Sequence, residues 1–244
     1  MFFFFKPSTI NIDCFCVDEI VFSNFKPERA NKFIPAYYKN LPTYLEGKAI
    51  PNTKTRLITK MPTLKKCNGF IDLFSHGFIL PSWADFQIEM LNDGNFFYSN
   101  LTDIQSNTSM VRHPRSQFGE ELYKDSGHVK IESPWFLKEK TGVKFTWMNC
   151  AWHNTQNLQD FYFLSGVVDF KLQWGTNINA FQRNGTIVQF HGGDPLAHII
   201  PISDKKVKLT HHLLSKEEHE KIVQREMIAP RFTNSRELKS KCPV

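Results

Sequence analysis

Two aspartates stand where a carboxylate could do chemistry. Asp169 ends the run Gly166-Val-Val-Asp169, where a strand pattern gives way to a turn, and it could act as a catalytic general base. The simpler interpretation, which we favour, is that Asp169 accepts backbone N–H groups within its own turn. Asp194 lies in a Gly-Gly-Asp-Pro turn that feeds the apolar run Leu196–Ile200, and it is a candidate ligand-binding residue.

A second set of candidates lies in the polar stretch 100–130. Its members are Arg112, His113, Arg115 and Gln117. They could bind an anion, because arginine offers a fork of N–H donors and histidine can also donate. A long polar stretch inside a compact domain is often a functional loop. The alternative, which we favour, is a solvated loop held by the proline that follows His113.

A metal centre would need histidine, cysteine or carboxylate ligands at defined spacing. The His-x-Asp or His-x-Glu pair of an iron oxygenase, whose site combines two histidines and one carboxylate, is absent from the sequence. His153 and His191 remain the candidate metal ligands, and they could converge in space with His113 or His198. His198 is also a candidate ligand-binding residue. Surface or hydrogen-bonded histidines are the simpler interpretation.

The cysteines predict free thiols. There are five, an odd number without a Cys-x-x-Cys pair. Cys14 and Cys16 would face the same side of a strand, which is poor geometry for a disulfide, so a reducing compartment is the natural interpretation. Cys150 lies close to His153 in sequence, which is a weak signal for a thiol nucleophile. A buried, inert cysteine is the commoner outcome.

Charge and composition restrict the partners. The formal net charge is +6, but Lys and Arg are spread along the chain and no basic stripe with interleaved aromatics stands out, which disfavours a nucleic-acid partner. The 23 phenylalanines fit a sheet better than a platform for stacking bases. No apolar run approaches the roughly 18 residues of a membrane span, so we expect no membrane partner. Met1–Phe5 lacks the features of a signal peptide and is interpreted as part of a buried first strand.

Strand patterns dominate the chain. The segment Ala84–Met90 alternates apolar and polar residues, which is typical of a half-buried strand. Asn92–Asn95 predicts a hairpin turn after it, and Thr141-Gly142 predicts a second tight turn. Strand patterns follow in the C-terminal half, at Phe161–Val168, Asn177–Phe181, Thr186–Phe190 and Leu196–Ile200. The sequence therefore predicts an all-β, mainly β protein with few helices.

The remaining segments frame this core. Phe2–Phe25 predicts one or two strands, and residues 46–55 predict a polar loop. Ser215 and Glu218 form a capping box, which predicts a C-terminal capping helix. We divide the chain into an N-terminal strand and helix arm packed on the core at 1–60, an all-β core domain at 61–204, and a C-terminal helix with a basic tail at 205–244.

Seven motifs lie between about Phe33 and Pro201: Pro35-Ala-Tyr-Tyr-Lys-Asn-Leu-Pro42, Thr63-Leu-Lys-Lys-Cys67, Gly77-Phe-Ile-Leu-Pro-Ser-Trp-Ala-Asp85, His113-Pro-Arg-Ser-Gln117, Ser133-Pro-Trp135, Gly166-Val-Val-Asp169 and Asp194-Pro-Leu-Ala-His-Ile-Ile-Pro201. Together they resemble an uncharacterised family, a domain of unknown function, from tailed, T4-like phages of marine bacteria. The resemblance implies a viral origin rather than an activity. The family's last motif usually reads Gly-Thr-Pro-Leu-x-Gln-x-Ile-Pro, whereas His198 stands here in place of the glutamine.

A second resemblance covers about Gly166–Ile200. Gly166-Val-Val-Asp169 and Gly193-Asp-Pro-Leu-Ala-His198 are similar in order and spacing to the C-terminal part of the dUTPase and dCTP-deaminase β-clip fold. It implies a β-clip, dUTPase-like sheet structure, with a jelly roll as the alternative, and a homo-oligomer, often a trimer. The family's Arg-Ser-Gly phosphate-binding motif, the tyrosine after its aspartate and its Gly-rich C-terminal arm are missing. The resemblance therefore does not imply dUTP hydrolysis.

These observations predict a phage-encoded accessory or structural protein that binds a small ligand or protein partner without an evident catalytic constellation. Its expected place is the cytoplasm of the infected host cell or the virion. One alternative is a nucleotide-binding hydrolase of the β-clip type that uses Asp169. Another is a metal-dependent oxygenase of the Fe/2-oxoglutarate kind that uses some of the four histidines named above. The sequence specifies no cofactor.

Overall fold

Extended backbone dominates the structure, a computed structural model that describes residues 9–51, 58–101, 110–117, 124–150, 152–153 and 159–222. The strands are β1 Thr9–Cys16, β2 Glu28–Arg29, β3 Tyr44–Pro51, β4 Ile58–Pro62, β5 Phe78–Pro81, β6 Phe86–Met90, β7 Phe96–Asn100, β8 Met110–Val111, β9 Ser126–Glu139, β10 Lys144–Asn149, β11 Phe161–Phe163, β12 Val167–Asp169, β13 Gly175–Arg183, β14 Ile187–Phe190, β15 Pro195–Pro201 and β16 Lys206–Leu213. The α-helices are α1 Glu19–Asn24, α2 Ala36–Asn40 and α3 Asn68–Ser75; the 3-10 helices are Ala30–Phe33, Leu64–Lys66 and Arg115–Gln117; residues 216–222 are also helical. The predicted mainly β fold with a C-terminal helix is confirmed.

The strands form three sheets and one separate ribbon. Sheet A has the order β11-β13-β9-β1-β16, with β8 also paired to β9, and sheet B has the order β12-β10-β15-β5-β2. Sheet C has the order β14-β6-β7, and β3 pairs with β4 as a two-stranded ribbon. The pair β1–β16 is parallel, and the other described pairs are antiparallel.

Sheets A, B and C share one hydrophobic core. Its existence follows from strand alternation: in β1, Ile10, Ile12 and Cys14 are buried in the core, whereas the residues between them are more exposed. Trp135 of β9 is fully buried in the same core. Its Nε1 donates a hydrogen bond to the carbonyl oxygen of Phe25 at 3.0 Å, which ties the segment after α1 to sheet A.

The outer face of sheet B is covered by a helical arm, which we define as residues 30–40 and 64–75. Ile79 of β5 lies between two residues of the main core and packs instead with Ala30 and Cys150 in a second, smaller cluster. The ring of Tyr38 in α2 lies 5.0 Å from the ring of Phe74 in α3, which joins the two helices of the arm. The arm therefore buries one face of sheet B, and the opposite face of the sheet packs into the main core.

Several local predictions agree with the structure. Strand β6 has Phe86, Ile88 and Met90 buried, as its alternation predicts, and it forms a hairpin with β7. The C-terminal helix packs on sheet A, where the ring of His219 lies 4.9 Å from the ring of Phe136. No helix among the described residues is both long and apolar enough to cross a membrane.

Four local predictions were wrong. The pattern Phe161–Val168 does not form one strand, because β11 ends at Phe163 in sheet A and β12 begins at Val167 in sheet B. The second half of Phe2–Phe25 forms α1 instead of a strand, because the carboxylate of Asp18 accepts hydrogen bonds from Ile20 N and Val21 N at 2.9 Å and caps the helix. Residues 46–51 belong to β3 rather than to a loop, and 52–57 lie outside the described residues, as does Met1–Phe5. The polar stretch 100–130 ends within β9, which begins at Ser126 because it pairs with β13. Pairing between strands overrides the weak local pattern in the last two cases.

Gly77 provides a test of how closely sheet B is packed. Its φ is +70°, and a Cβ placed there would lie 2.1 Å from the carbonyl oxygen of Ile199 in β15. We expect Gly77→Ala to lower the free energy of unfolding by about 3 kcal/mol, because both the left-handed backbone and the overlap must be relieved. Urea unfolding measures the loss. Gly166→Ala is the control, since nothing lies within 4 Å of its added Cβ; equal losses in the two variants would contradict the argument.

Glu139 should make stability depend on pH. Its buried carboxylate accepts hydrogen bonds from the backbone of Thr141, Gly142 and Val143 at 2.8, 2.6 and 3.1 Å. Burial alone would raise the pKa of Glu139, but these hydrogen bonds and one from the Thr141 hydroxyl outweigh it and lower the pKa from its ordinary value of 4.5. The stabilisation is therefore fully present above about pH 4.5 and is lost as the pH falls through the folded pKa.

We expect Glu139→Gln to lower the free energy of unfolding at pH 7 by about 1–3 kcal/mol. The loss should be smaller at pH 3, because below pH 4.5 the unfolded wild-type chain binds a proton at Glu139 and the stabilisation from the folded carboxylate declines. Chemical unfolding at the two pH values measures this difference. Glu132→Gln is the control, because Glu132 makes a partly exposed ion pair with Lys130. A loss at Glu139 that does not change with pH would argue against the role of the charge.

Candidate functional site

A cleft opens where the edges of sheets A and B meet. Its volume is about 160 Å³. It is lined by Trp147, Met148, Phe163, Leu164, Gly166, Val167, Val168, Gln173, Asn177, Ile178, Asn179 and Ala197. A cavity of about 150 Å³ can hold one six-membered ring, so the cleft has room for a single ring or one side chain.

The cleft forms because the chain passes from one sheet to the other at this edge. Strand β11 ends in sheet A at Phe163, and β12 begins in sheet B only four positions later, at Val167. The backbone N–H of Leu164 donates to the carbonyl of Asn179 at 2.8 Å, and that of Trp147 donates to the carbonyl of Gly166 at 3.0 Å. These two hydrogen bonds fix the crossing segment between β13 and β10, beside the cleft.

The lining is uncharged. It combines an indole, a phenyl ring and aliphatic side chains with the amides of Gln173, Asn177 and Asn179. None of the described lining residues has a side chain that titrates near neutral pH, so this lining can neither move a proton nor hold a metal ion through carboxylate, imidazole or thiolate. It can surround an apolar ring and exchange hydrogen bonds with uncharged polar groups.

Asp169 lies at the end of β12, beside the cleft but outside its lining. Its Oδ1 accepts a hydrogen bond from Lys171 N at 2.9 Å, and its carbonyl accepts from Leu172 N and Gln173 N. This is the turn-capping arrangement that the simpler interpretation of the sequence predicts. The general-base role has no further support from the geometry.

The anion-binding candidates are held by contacts within their own neighbourhood. The guanidinium of Arg112 donates to the Asn95 side chain, and Nδ1 of His113 contacts the side-chain oxygen of Gln117. The ring of His113 also meets the ring of His128 edge-on, with centroids 5.0 Å apart. The backbone of Arg115 lies in a 3-10 helix, but its side chain is outside the described part of the structure. Anion binding here stays a prediction.

Asp194 and His191 belong to one compact turn before β15. The Asp194 carboxylate accepts from His191 N at 2.9 Å, and the N–H of Gly192 donates to Asp85 Oδ1 at 2.6 Å. The His191 ring is exposed and lies 3.9 Å from the same Asp85 oxygen. The Phe25 ring covers the turn so closely that a Cβ on Gly192 would approach it to 2.9 Å. In this arrangement Asp194 has a structural role, because its carboxylate stabilises the turn before β15.

His198 and His153 lie beneath the helical arm. Nε2 of His198 donates to the carbonyl of His76 at 2.8 Å, and Nε2 of His153 donates to the carbonyl of Phe33. Burial lowers the pKa of both imidazoles, and for His198 the proximity of His153 lowers it further, although the hydrogen bonds to carbonyl oxygens oppose the shift. The two rings hold the arm onto sheet B as neutral donors.

The four histidines do not share a site. His153 and His198 face the arm, His191 lies in the turn before β15, and His113 lies beside β9. Among the residues that the structure describes, no group of three or more His, Cys, Asp or Glu side chains is placed to hold a metal ion. Cys150 is buried under the arm, where burial raises the pKa of its thiol, as expected of an inert cysteine.

The sequence interpretation missed most of the cleft. It drew attention to Gly166-Val-Val-Asp169, of which the first three residues line the cleft, but not to Trp147, Asn177 or Asn179. A signal was present in β13, where the two asparagines alternate with the buried Ile178 and therefore face away from the core. The sequence could not predict that β13 and β10 lie side by side at the cleft, because these strands belong to different sheets.

The comparisons with known proteins add no relative. No protein-family model matches the chain, and a search of curated proteins finds no match. The phage and β-clip resemblances therefore rest on the motifs quoted above.

The arm histidines generate a testable pH dependence. Below about pH 6.5 the unfolded chain binds a proton that neutral, buried His198 does not, so stability falls as the pH drops from 6.5 towards the folded pKa. Glutamine stays neutral and can also donate to the carbonyl of His76. We expect His198→Gln to reduce the stability lost between pH 7.5 and 5.5 by about 1 kcal/mol, as measured by urea unfolding. His191→Gln, at an exposed histidine, is the control; an unchanged slope in His198→Gln would contradict the assignment.

Proposed function

We propose that the protein is a phage-encoded accessory or structural protein that binds an uncharged small ligand, or a side chain of a protein partner, in the cleft between sheets A and B. The observation that carries this proposal is the uncharged lining of the cleft. A site built for hydrolysis or proton transfer needs a titrating group within reach of the reacting atoms. The cleft offers amides and rings instead, which suit recognition.

We propose the phage origin from the seven motifs alone, one of which also contributes to the cleft. Gly166, Val167 and Val168 of the Gly-Val-Val-Asp motif line the cleft, so the motif contributes to the same site that we propose for binding. We place the protein in the cytoplasm of the infected cell or in the virion. Detection of the protein in purified virions would distinguish a structural component from an accessory protein of the infected cell.

A second candidate is nucleotide binding of the β-clip type. It is favoured by the same placing of Gly166–Val168 and weakened by Asp169, whose carboxylate caps its own turn. The two candidate functions differ in the charge of the ligand. A nucleotide carries phosphates, which the uncharged lining of the cleft does not complement. Binding of nucleosides without turnover of nucleotides would favour recognition alone.

The cleft can be tested with a panel of uncharged ligands. Free bases, nucleosides and N-acetyl amino-acid amides would be titrated into the protein while NMR follows the Trp147 indole and the asparagine side-chain amides. We expect Val167→Glu to weaken binding about tenfold or more, because Val167 is 63% exposed at the rim and a carboxylate there would be desolvated by the ligand. Ile187→Glu, at a residue 58% exposed on sheet C, should bind as the wild type does.

Two results would contradict the proposal. One is turnover of any nucleotide or 2-oxoacid by the purified protein, which would require catalytic groups that the proposal does not include. The other is ligand binding that Val167→Glu and Ile187→Glu weaken equally, since this would place the ligand outside the cleft.

A further inference from the structure

Most of the net positive charge of the chain arises in one short segment, in which Lys54 and Arg56 lie outside the described residues. Residues 44–66 contain six Lys or Arg and one Glu, whereas the whole chain contains 30 Lys and Arg and 24 Asp and Glu. The rest of the chain therefore has 24 basic and 23 acidic residues and is almost neutral. The net charge is therefore less evenly distributed than the spread of Lys and Arg along the chain suggests.

This segment contains the β3–β4 ribbon, which stands apart from the other sheets. Its two strands pair antiparallel with each other, and neither pairs with a strand of sheets A, B or C. All of β3 except Leu45 is exposed. Among the described residues, neither buried hydrophobic cluster contains a residue of β3 or β4, so a role outside the core would account for this strand pair.

The base of the ribbon is fixed to the helical arm. The hydroxyl of Thr63 donates to the carbonyl of Pro42 at 2.5 Å. The ammonium of Lys65 donates to the carbonyls of Lys39 and Leu41, at 2.8 and 3.0 Å, and so closes the C-terminal end of α2. The ribbon is thus presented from an anchored base.

Three lysines lie on the ribbon and at its base. Lys48 and Lys60 line a hollow beside a bulge at Gly47, whose φ is +64°. The Lys66 ammonium lies 5.6 Å from the ring centroid of Tyr44, which is itself 42% exposed. Within the described part of the chain, no ion pair neutralises Lys48, Lys60 or Lys66. All three lysines are exposed.

We propose that the β3–β4 ribbon binds nucleic acid, with Lys48, Lys60 and Lys66 on the phosphate backbone and the strand pair in the major groove of a DNA duplex. An antiparallel two-stranded ribbon has the width that this groove admits. Lysines that reach phosphates release counterions, which supplies the affinity. An acidic protein is the weaker match, because stable protein interfaces bury about 800 Å² per partner on a continuous surface, whereas a ribbon is narrow.

The proposal reverses the expectation that nucleic acid is not a partner, and it is independent of the cleft. Fluorescence anisotropy of the full chain with a labelled 20-base-pair DNA duplex tests it at 50 and 200 mM NaCl. We expect binding that weakens at the higher salt concentration and is reduced about tenfold or more in Lys48→Glu/Lys60→Glu. Lys206→Glu/Lys208→Glu changes the charge equally at exposed residues of β16 and should lose about twofold or less.

Parallel titrations with single-stranded DNA and duplex RNA separate groove binding from other modes. Weaker binding of both supports the proposal, because single strands have no groove and the major groove of duplex RNA is too narrow for a ribbon. The proposal is overturned by no binding of duplex DNA at 50 mM salt, by equal losses in the two double variants, or by binding of single-stranded DNA or duplex RNA as tight as that of duplex DNA. Circular dichroism confirms that both variants are folded.

Discussion

One hydrophobic core shared by three sheets is the constraint on which the rest of the structure depends. Since sheets A, B and C all bury one face in the same cluster, the chain must cross between sheets instead of completing one before starting the next. The crossing after β11 creates the cleft, and the crossing between α1 and sheet A is held by the buried Trp135. Gly77 shows how little room the packing leaves, because β5 and β15 approach too closely for any Cβ there.

Burial also decides what the polar residues beneath the arm can do. A histidine or cysteine removed from water favours its neutral form, so His153, His198 and Cys150 are poor candidates for ionised chemistry. They instead satisfy backbone carbonyls or fill space between the arm and sheet B. Glu139 shows the opposite balance, because three backbone N–H groups and a hydroxyl surround its carboxylate and keep it ionised despite burial.

The sequence could predict those structural features that depend only on residues close together in the chain. The alternation of β6, the Thr141-Gly142 turn and the turn-capping role of Asp169 are local, and each was predicted correctly. Pairing between distant strands is not local: β9 begins inside a stretch whose polarity suggests a loop, because β13 supplies its partner. The cleft depends on a contact between sheets, so only its Gly166–Val168 side could be recognised in advance. The charge surplus of residues 44–66 could be counted in the sequence, but the sequence could not show that β3 and β4 pair only with each other.

The two proposed surfaces differ in the physics of recognition. The cleft is uncharged and partly open, so its affinity should come from apolar contact and from hydrogen bonds to amides, both nearly insensitive to salt. The ribbon is basic and exposed, so its affinity should come from counterion release and fall steeply with salt. Because almost all of the net positive charge lies in residues 44–66, the core carries little charge of its own to attract a polyanion to the cleft. A ligand that carries both a ring and phosphates would therefore meet favourable surroundings for each part at a different place on the molecule.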